Sequence, residues 1–163
     1  MKDPNRCKTI TMAEVMPPEK ANFTGHIHGG YIVMLLDRVA YACAARYCSK
    51  DVVTLSIDQV LFKEPIFIGE LVSFYATINY VGHTSMEVGI KVTAENLKTG
   101  DVRHTNTSYL TMVAIDENGK SCEVPPLKLE NDIEKRRFSE SEHRKKLRFE
   151  FQEKHKSIKD SKE

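Results

Sequence analysis

Across residues 31–45 nearly every position is apolar, and only Asp37 and Arg38 carry charge. A surface helix shows a polar face, so a stretch apolar on nearly every side predicts a buried helix. Gly29-Gly30 opens it and Ser49-Lys50-Asp51 breaks it. Elsewhere the period drops to two. Residues 6–15 alternate imperfectly and predict a first strand, ended at Met16-Pro17-Pro18 because proline removes a ladder donor. Residues 52–61 alternate and are rich in β-branched side chains. Residues 70–81 put Val72, Phe74, Ala76 and Ile78 on one face, and residues 84–97 do the same with Met86, Val88, Ile90 and Val92. Gly82-His83 turns between those two. Lys98-Thr99-Gly100-Asp101 is a hairpin turn into a last strand, Val102–Ile115.

Long antiparallel strands with one apolar face form a curved sheet that needs something to wrap. Helix 30–46 is the candidate. One strand, a helix, then four strands joined by short connections predict an α+β domain, a long antiparallel sheet curled around one central apolar helix. After Pro125-Pro126 the composition shifts to Lys, Arg and Glu, which predicts a charged helix over about residues 130–156. The chain thus divides into a domain over 1–126 and a helical extension over 127–163. The extension reads as a solvated helix with a frayed end that contributes to subunit contacts. Arg144-Lys145-Lys146 and Arg148 are interspersed with acids, which weakens a reading as an RNA or membrane surface.

A net charge of +1 argues against a dedicated nucleic-acid binder. No apolar run reaches the ~20 residues that span a bilayer. The N-terminal MKDPNRCKTI lacks the apolar core of a secretory signal, and the cytoplasm is the expected location. Cys7, Cys43, Cys48 and Cys122 form no CxxC pair and are expected to be reduced structural thiols.

The chemistry gathers around the helix start. Two glycines let a ligand approach the backbone, and the first helical N–H groups lack intrahelical partners. Such an end holds an anion, or the oxyanion that develops on an attacked carbonyl. Asp37 lies two turns further on, ~10 Å along the axis, too far to serve its own helix end. A second subunit with its helix antiparallel would bring its Asp37 beside Gly30. A salt bridge or a backbone cap is the competing role for this acid. His26-x-His28 lacks a third ligand, so a metal site is not expected. There is no GxSxG elbow for a serine nucleophile, no activator for Cys43 or Cys48, and no GxGxxG or Walker sequence.

The loop reads N-x-x-G-x-x-x-G-G over Asn22, Gly25, Gly29 and Gly30, with Asp37 seven residues after the second glycine. Downstream come Phe62-x-x-Pro65-Ile66-x-x-Gly69-Glu70, Tyr80-Val81-Gly82-His83-Thr84-Ser85-Met86, Ala94-Glu95-Asn96, Val113-Ala114 and Val124-Pro125. Over roughly residues 10–126 this ordered set resembles the hotdog-fold acyl-CoA thioesterases, nearest the YciA-like and brain acyl-CoA hydrolase branch. The resemblance implies the hotdog fold and hydrolysis of acyl-CoA to CoA and a carboxylic acid. It implies that Asn22 orients the thioester or the water and that N–H groups at Gly29 and Gly30 form an oxyanion hole. Asp37 of the partner subunit would then be general base or nucleophile. It implies no metal or prosthetic group, and a homo-oligomer that is a dimer at minimum and a trimer of dimers by preference. Related chains carry Arg where this one has His83, so recognition of the CoA phosphates at that turn departs from the pattern. Lys63 and Arg103, with Lys91 and His104, are candidate substitutes, and Thr84 and Ser85 are candidates for the pantetheine path.

Two other functions fit the same residues. A hydroxyacyl-thioester dehydratase of this fold would use a His–acid pair, for which His26 and His28 are available. A non-catalytic acyl-CoA sensor would bind without turnover, although it has no need of a buried acid. Tyr31, Met34, Tyr41 and Met86 are candidates to shape an acyl tunnel.

Overall fold

The computed structural model describes residues 7–160, the side chains of 159 and 160 excepted. The expected first strand begins at Arg6, and that residue, like the start of the N-terminal stretch, lies outside the described residues. The chain forms two compact units, Met1–Pro126 and Leu127–Glu163.

The first unit holds β1 (Thr9–Val15), a 3-10 turn (Pro18–Lys20), α1 (Gly29–Cys48), β2 (Asp51–Ile57), β3 (Leu71–Val81), β4 (Ser85–Glu95) and β5 (Val102–Ile115). The strands make one antiparallel sheet in the order β1-β3-β4-β5-β2. The inner face carries Val72, Phe74, Ala76 and Ile78 from β3, Met86, Val88, Ile90, Val92 and Ala94 from β4, and Leu110, Met112 and Ala114 from β5, all buried. These are the faces the alternation marks out.

Helix α1 lies against that face. Its buried residues recur at Ile32, Leu35, Leu36, Val39, Ala40, Cys43, Ala44, Tyr47 and Cys48, the stripe of a helix packed on one side. The expectation of burial all round is corrected here. Met34 is 39% and Tyr41 49% exposed, Arg38 is exposed, and Asp37 is half-buried rather than buried. In a single chain one apolar side of α1 faces outward. Ser49 ends the helix in the left-handed region (φ 54°), where its N–H closes on the Ala45 carbonyl. At the other end Tyr31 donates to the Glu14 carboxylate on β1, which raises its phenol above the ordinary range, and Lys20 Nζ stands 5.3 Å from its ring centroid. Tyr31 thus ties α1 to β1 and the 3-10 turn.

Two strand boundaries differ from the sequence pattern. Strand β2 ends at Ile57, after a bulge between Thr54 and Ser56, although the alternation runs to residue 61. Beyond it an irregular stretch follows β5 through single bonds, from Asp58 N–H to the Tyr109 carbonyl (3.0 Å) and from Lys63 N–H to the Thr105 carbonyl (3.1 Å). A strand can alternate and still leave the ladder once a bulge has bent it.

In the second unit α2 spans Asp132–Asp160, longer at its C-terminal end than the expected 130–156. Asn131 Oδ1 accepts the Glu134 N–H (2.9 Å), and the Glu134 carboxylate accepts the Glu130 N–H (2.8 Å). Those bonds satisfy helix-start donors that otherwise lack partners. Arg136 and Glu140 add an i,i+4 pair at 2.6 Å.

Cys43 and Cys48 are buried. Burial, reinforced by nearby Cys7, pushes the Cys43 thiol up to about 12, and burial also raises Cys48. Only the thiolate reacts. At pH 8 a thiol reagent is therefore expected to modify exposed Cys7 and to leave Cys43 and Cys48 intact until the protein is denatured. Mass spectrometry of the labelled peptides checks this, and labelling of Cys43 in the native protein would contradict the packing.

Candidate active site

The loop before α1 is built on one side-chain oxygen. Asn22 Oδ1 accepts the Thr24 N–H (2.9 Å), the Thr24 hydroxyl (2.7 Å) and the His26 N–H (3.2 Å). The Asn22 N–H bonds the His26 carbonyl (2.7 Å), and Gly25 takes the φ of +80° that closes this tight turn. With Oδ1 so occupied, the Nδ2 group is the free end of the carboxamide, and it has no partner among the described residues.

Helix α1 starts immediately afterwards. His28 precedes it with no side-chain cap, and the first turn has no acidic residue. The Tyr31 and Ile32 N–H groups bond the His28 carbonyl, whereas the Gly29 and Gly30 N–H groups have no partner among the described residues. A Cβ on Gly29 would touch the Phe62 ring at 3.4 Å, so that glycine allows close packing of the irregular stretch. A Cβ on Gly30 would meet only His28 Nδ1, at 3.9 Å. Its own chain does not demand a glycine there.

Asp37 projects from the outward side of α1 toward the edge strand. Thr54 of β2 donates its hydroxyl to Asp37 Oδ1 at 2.5 Å. Thr54 was not singled out in the sequence. It is one Thr in an alternating strand, and only the packing of β2 beside α1 sets it on the acid. Met34 and Tyr41 flank Asp37 on the same exposed stripe.

The remaining candidates separate into two groups. His83, Thr84 and Ser85 occupy the β3–β4 turn. The His83 carbonyl accepts from Val124 N–H (2.9 Å), and the adjacent Pro125 and Pro126 carbonyls accept from Tyr47 near the end of α1. Lys63 lies by the opposite end, next to Phe62 and hence Gly29. A helix of 20 residues, ~30 Å, separates these ends within one chain. Arg103 has its guanidinium on Glu70, at 2.5 and 2.7 Å, and on the Pro65 carbonyl at 2.8 Å. Glu70 is buried and also accepts the Phe67 N–H (2.9 Å). A buried carboxylate requires such a partner, so Arg103 serves its own chain's loop. His26 and His28 gather no third ligand; among the described residues no cluster of three His, Cys, Asp or Glu side chains forms.

A family model described as the thioesterase superfamily matches residues 24–100. The chain is 49% identical to Protein VdlD of Helicobacter pylori over 139 residues, 85% of this chain and 79% of that one. It is 37% identical to an uncharacterized acyl-CoA thioester hydrolase, YkhA, of Bacillus subtilis, over 78% of this chain and 73% of that one. The chain belongs to the thioesterase superfamily. Its hotdog fold matches a solved apo-hexameric acyl-CoA thioesterase with a TM-score of 0.84 at 34% identity, covering 88% of this chain and 92% of that one. It also matches an acyl-CoA hydrolase of Staphylococcus aureus, solved with butyryl coenzyme A and coenzyme A, with a TM-score of 0.80 at 28% identity, covering 93% and 94%. That superfamily member has also been solved with alanine replacing an aspartate, an asparagine and a threonine.

Proposed function

We propose that this protein hydrolyses the thioester of acyl-CoA to CoA and a carboxylic acid, at sites shared between two subunits. The observation that carries the reading is the pairing of an uncapped helix start, whose Gly29 and Gly30 N–H groups have no partner among the described residues, with an ionisable acid that its own chain holds two turns away. The substituted asparagine, aspartate and threonine of the Staphylococcus aureus enzyme have the chain spacing of Asn22, Asp37 and Thr54.

In this reading the thioester carbonyl lies at the start of α1. The Gly29 and Gly30 N–H groups, with the positive end of the helix dipole, stabilise the oxyanion. Asn22 Nδ2 donates to the thioester or to the attacking water. The partner subunit's Asp37 acts through the oxygen that Thr54 leaves free, as general base on water or as nucleophile. A two-fold axis with α1 antiparallel to its copy sets each Asp37 beside the other chain's Gly30, giving two equal sites per dimer. The outward stripe of Met34 and Tyr41 then meets the acyl group and the other subunit. Lys63, His83, Thr84 and Ser85 are assigned to the CoA moiety, and Arg103 to the loop that supports Lys63. No metal or prosthetic group takes part, and CoA enters only with the substrate.

A dimer joined through β2, assembled into a hexamer, is the proposed quaternary state. The cytoplasm is the proposed location of the reaction. No helix among the described residues is long and apolar enough to cross a membrane. The test is release of free thiol from a panel of acyl-CoAs of increasing chain length. Turnover of at least one member is expected. Binding of CoA without turnover of any would replace the enzyme with a sensor, and hydration of an enoyl-CoA without hydrolysis would replace it with a dehydratase.

A further inference from the structure

His26 is absorbed neither by a metal site nor by the hydrolytic residues, yet it is the centre of a continuous set of contacts. Its Nδ1 lies 3.0 Å from Thr24 Oγ1. Thr24 Oγ1 lies 2.7 Å from Asn22 Oδ1. On the other side the His26 ring stands edge-on to Phe67, with centroids 5.1 Å apart. The Arg103 guanidinium covers Phe67 at 5.3 Å and is itself held by Glu70. An isolated bridge between His26 and Phe67 joins the two backbones, and Ile27 N–H bonds the Ile66 carbonyl (2.9 Å). The sheet therefore supports the Asn22 loop through one aromatic ring and one imidazole.

The direction of each bond follows from the donors. Two backbone N–H groups, of Thr24 and His26, point at one oxygen of Asn22, which assigns that atom as the carbonyl oxygen. The Thr24 hydroxyl has a single proton, and a carbonyl oxygen can only accept, so the proton goes to Asn22. Thr24 Oγ1 is then an acceptor toward His26, and Nδ1 must carry a hydrogen. The ring is held by Phe67 in the orientation that delivers it.

We propose that His26 is a positioning residue for Asn22: its Nδ1–H holds the Thr24 hydroxyl, which holds the Asn22 carboxamide with Nδ2 directed at the substrate. This deepens the hydrolase reading and rests on it for the role of Asn22. The relay itself is a property of the loop. It uses the Nδ1–H form of imidazole, whereas a histidine free in water favours the Nε2–H form.

Two measurements on the full-length oligomer test it. In the first, ¹⁵N-labelled histidine is read by two-dimensional ¹H–¹⁵N spectra at pH 8, in the wild type and in Thr24→Val. His26 is expected as the Nδ1–H tautomer in the wild type and as mainly Nε2–H in Thr24→Val. An Nε2–H ring in the wild type overturns the relay whether or not the protein hydrolyses anything. In the second, steady-state hydrolysis is compared for His26→Leu, His26→Asn and Asn22→Ala, alone and combined. His26→Leu is expected to lower kcat about 10-fold, with KM within twofold. His26→Asn places an amide N–H where Nδ1 was and is expected to recover most of that loss. In the Asn22→Ala background His26→Leu should cost nothing more, since the two act in series. An equal loss in both backgrounds, or a loss carried by KM alone, would reduce His26 to a packing residue. A wild type that turns over no acyl-CoA removes the hydrolase reading, and the tautomer measurement then decides the relay by itself.

Discussion

Asp37→Ala is expected to cut acyl-CoA hydrolysis by about 10²- to 10⁴-fold, the range for loss of a positioned general base, while the protein stays folded and oligomeric. Asp37 is half-buried, and its carboxylate accepts a hydrogen bond from Thr54. Removing the carboxylate leaves the Thr54 hydroxyl near water and opens no large core cavity. The stability change should therefore be small beside the catalytic loss. Asp37→Asn keeps the shape and the acceptor oxygen for Thr54 but no ionisable oxygen, so it should be as inactive as alanine. The two variants together separate chemistry from packing. Full activity in Asp37→Asn would remove the acid from the mechanism, and loss of the oligomer in both would show that Asp37 is a structural contact. Circular dichroism and light scattering beside the thiol-release assay distinguish these cases.

Leu55→Asp is expected to separate the subunits and to lower activity by at least about 10²-fold, because in the proposed shared site Gly29 and Gly30 of each chain would lose the other chain's Asp37. Among the described residues strand β2 pairs only with β5, which leaves its outer edge without a strand partner there. Along it Val53, Leu55 and Ile57 are exposed, Leu55 by 68%. An apolar edge strand of this kind is a pairing surface unless something covers it. An aspartate placed there would be desolvated without a partner on association, a cost of several kcal/mol. Analytical ultracentrifugation should show a smaller species, with secondary structure intact because Leu55 is 68% exposed and not part of the buried core. A monomer with wild-type turnover would overturn the shared site. An unchanged oligomer would place the interface elsewhere on the chain.

Both experiments start from features the sequence displays and end on features it does not. The inner faces of β3, β4 and β5 follow from alternation, because side chains of a strand point to opposite faces whatever the neighbours are. The limits of α1 follow from Gly29-Gly30 and the break at Ser49. The Asn22 loop is legible because Asn and Gly have few ways to close a turn. These are local properties, set by chirality, sterics and short-range hydrogen bonds.

What the sequence could not convey is relational. The apolar helix looked buried on all sides, because composition does not distinguish a side that meets the core from one that faces outward in a single chain. Only the packing of α1 on one sheet leaves Met34, Asp37 and Tyr41 on the open side. Thr54 is an ordinary strand residue until β2 lies along α1 and turns it onto Asp37. Arg103 read as a free cation for phosphate until β5 brought it to Glu70, a residue 33 positions away. His26 offered no metal site in the sequence, and nothing there pointed to Phe67, whose ring stands against it. The sequence by itself determined the elements, their inner faces and the chemistry available at the helix start. The tertiary structure decided which side chains meet, because a contact between distant residues depends on the sheet order and crossing geometry of the whole domain, and no short stretch of chain encodes it.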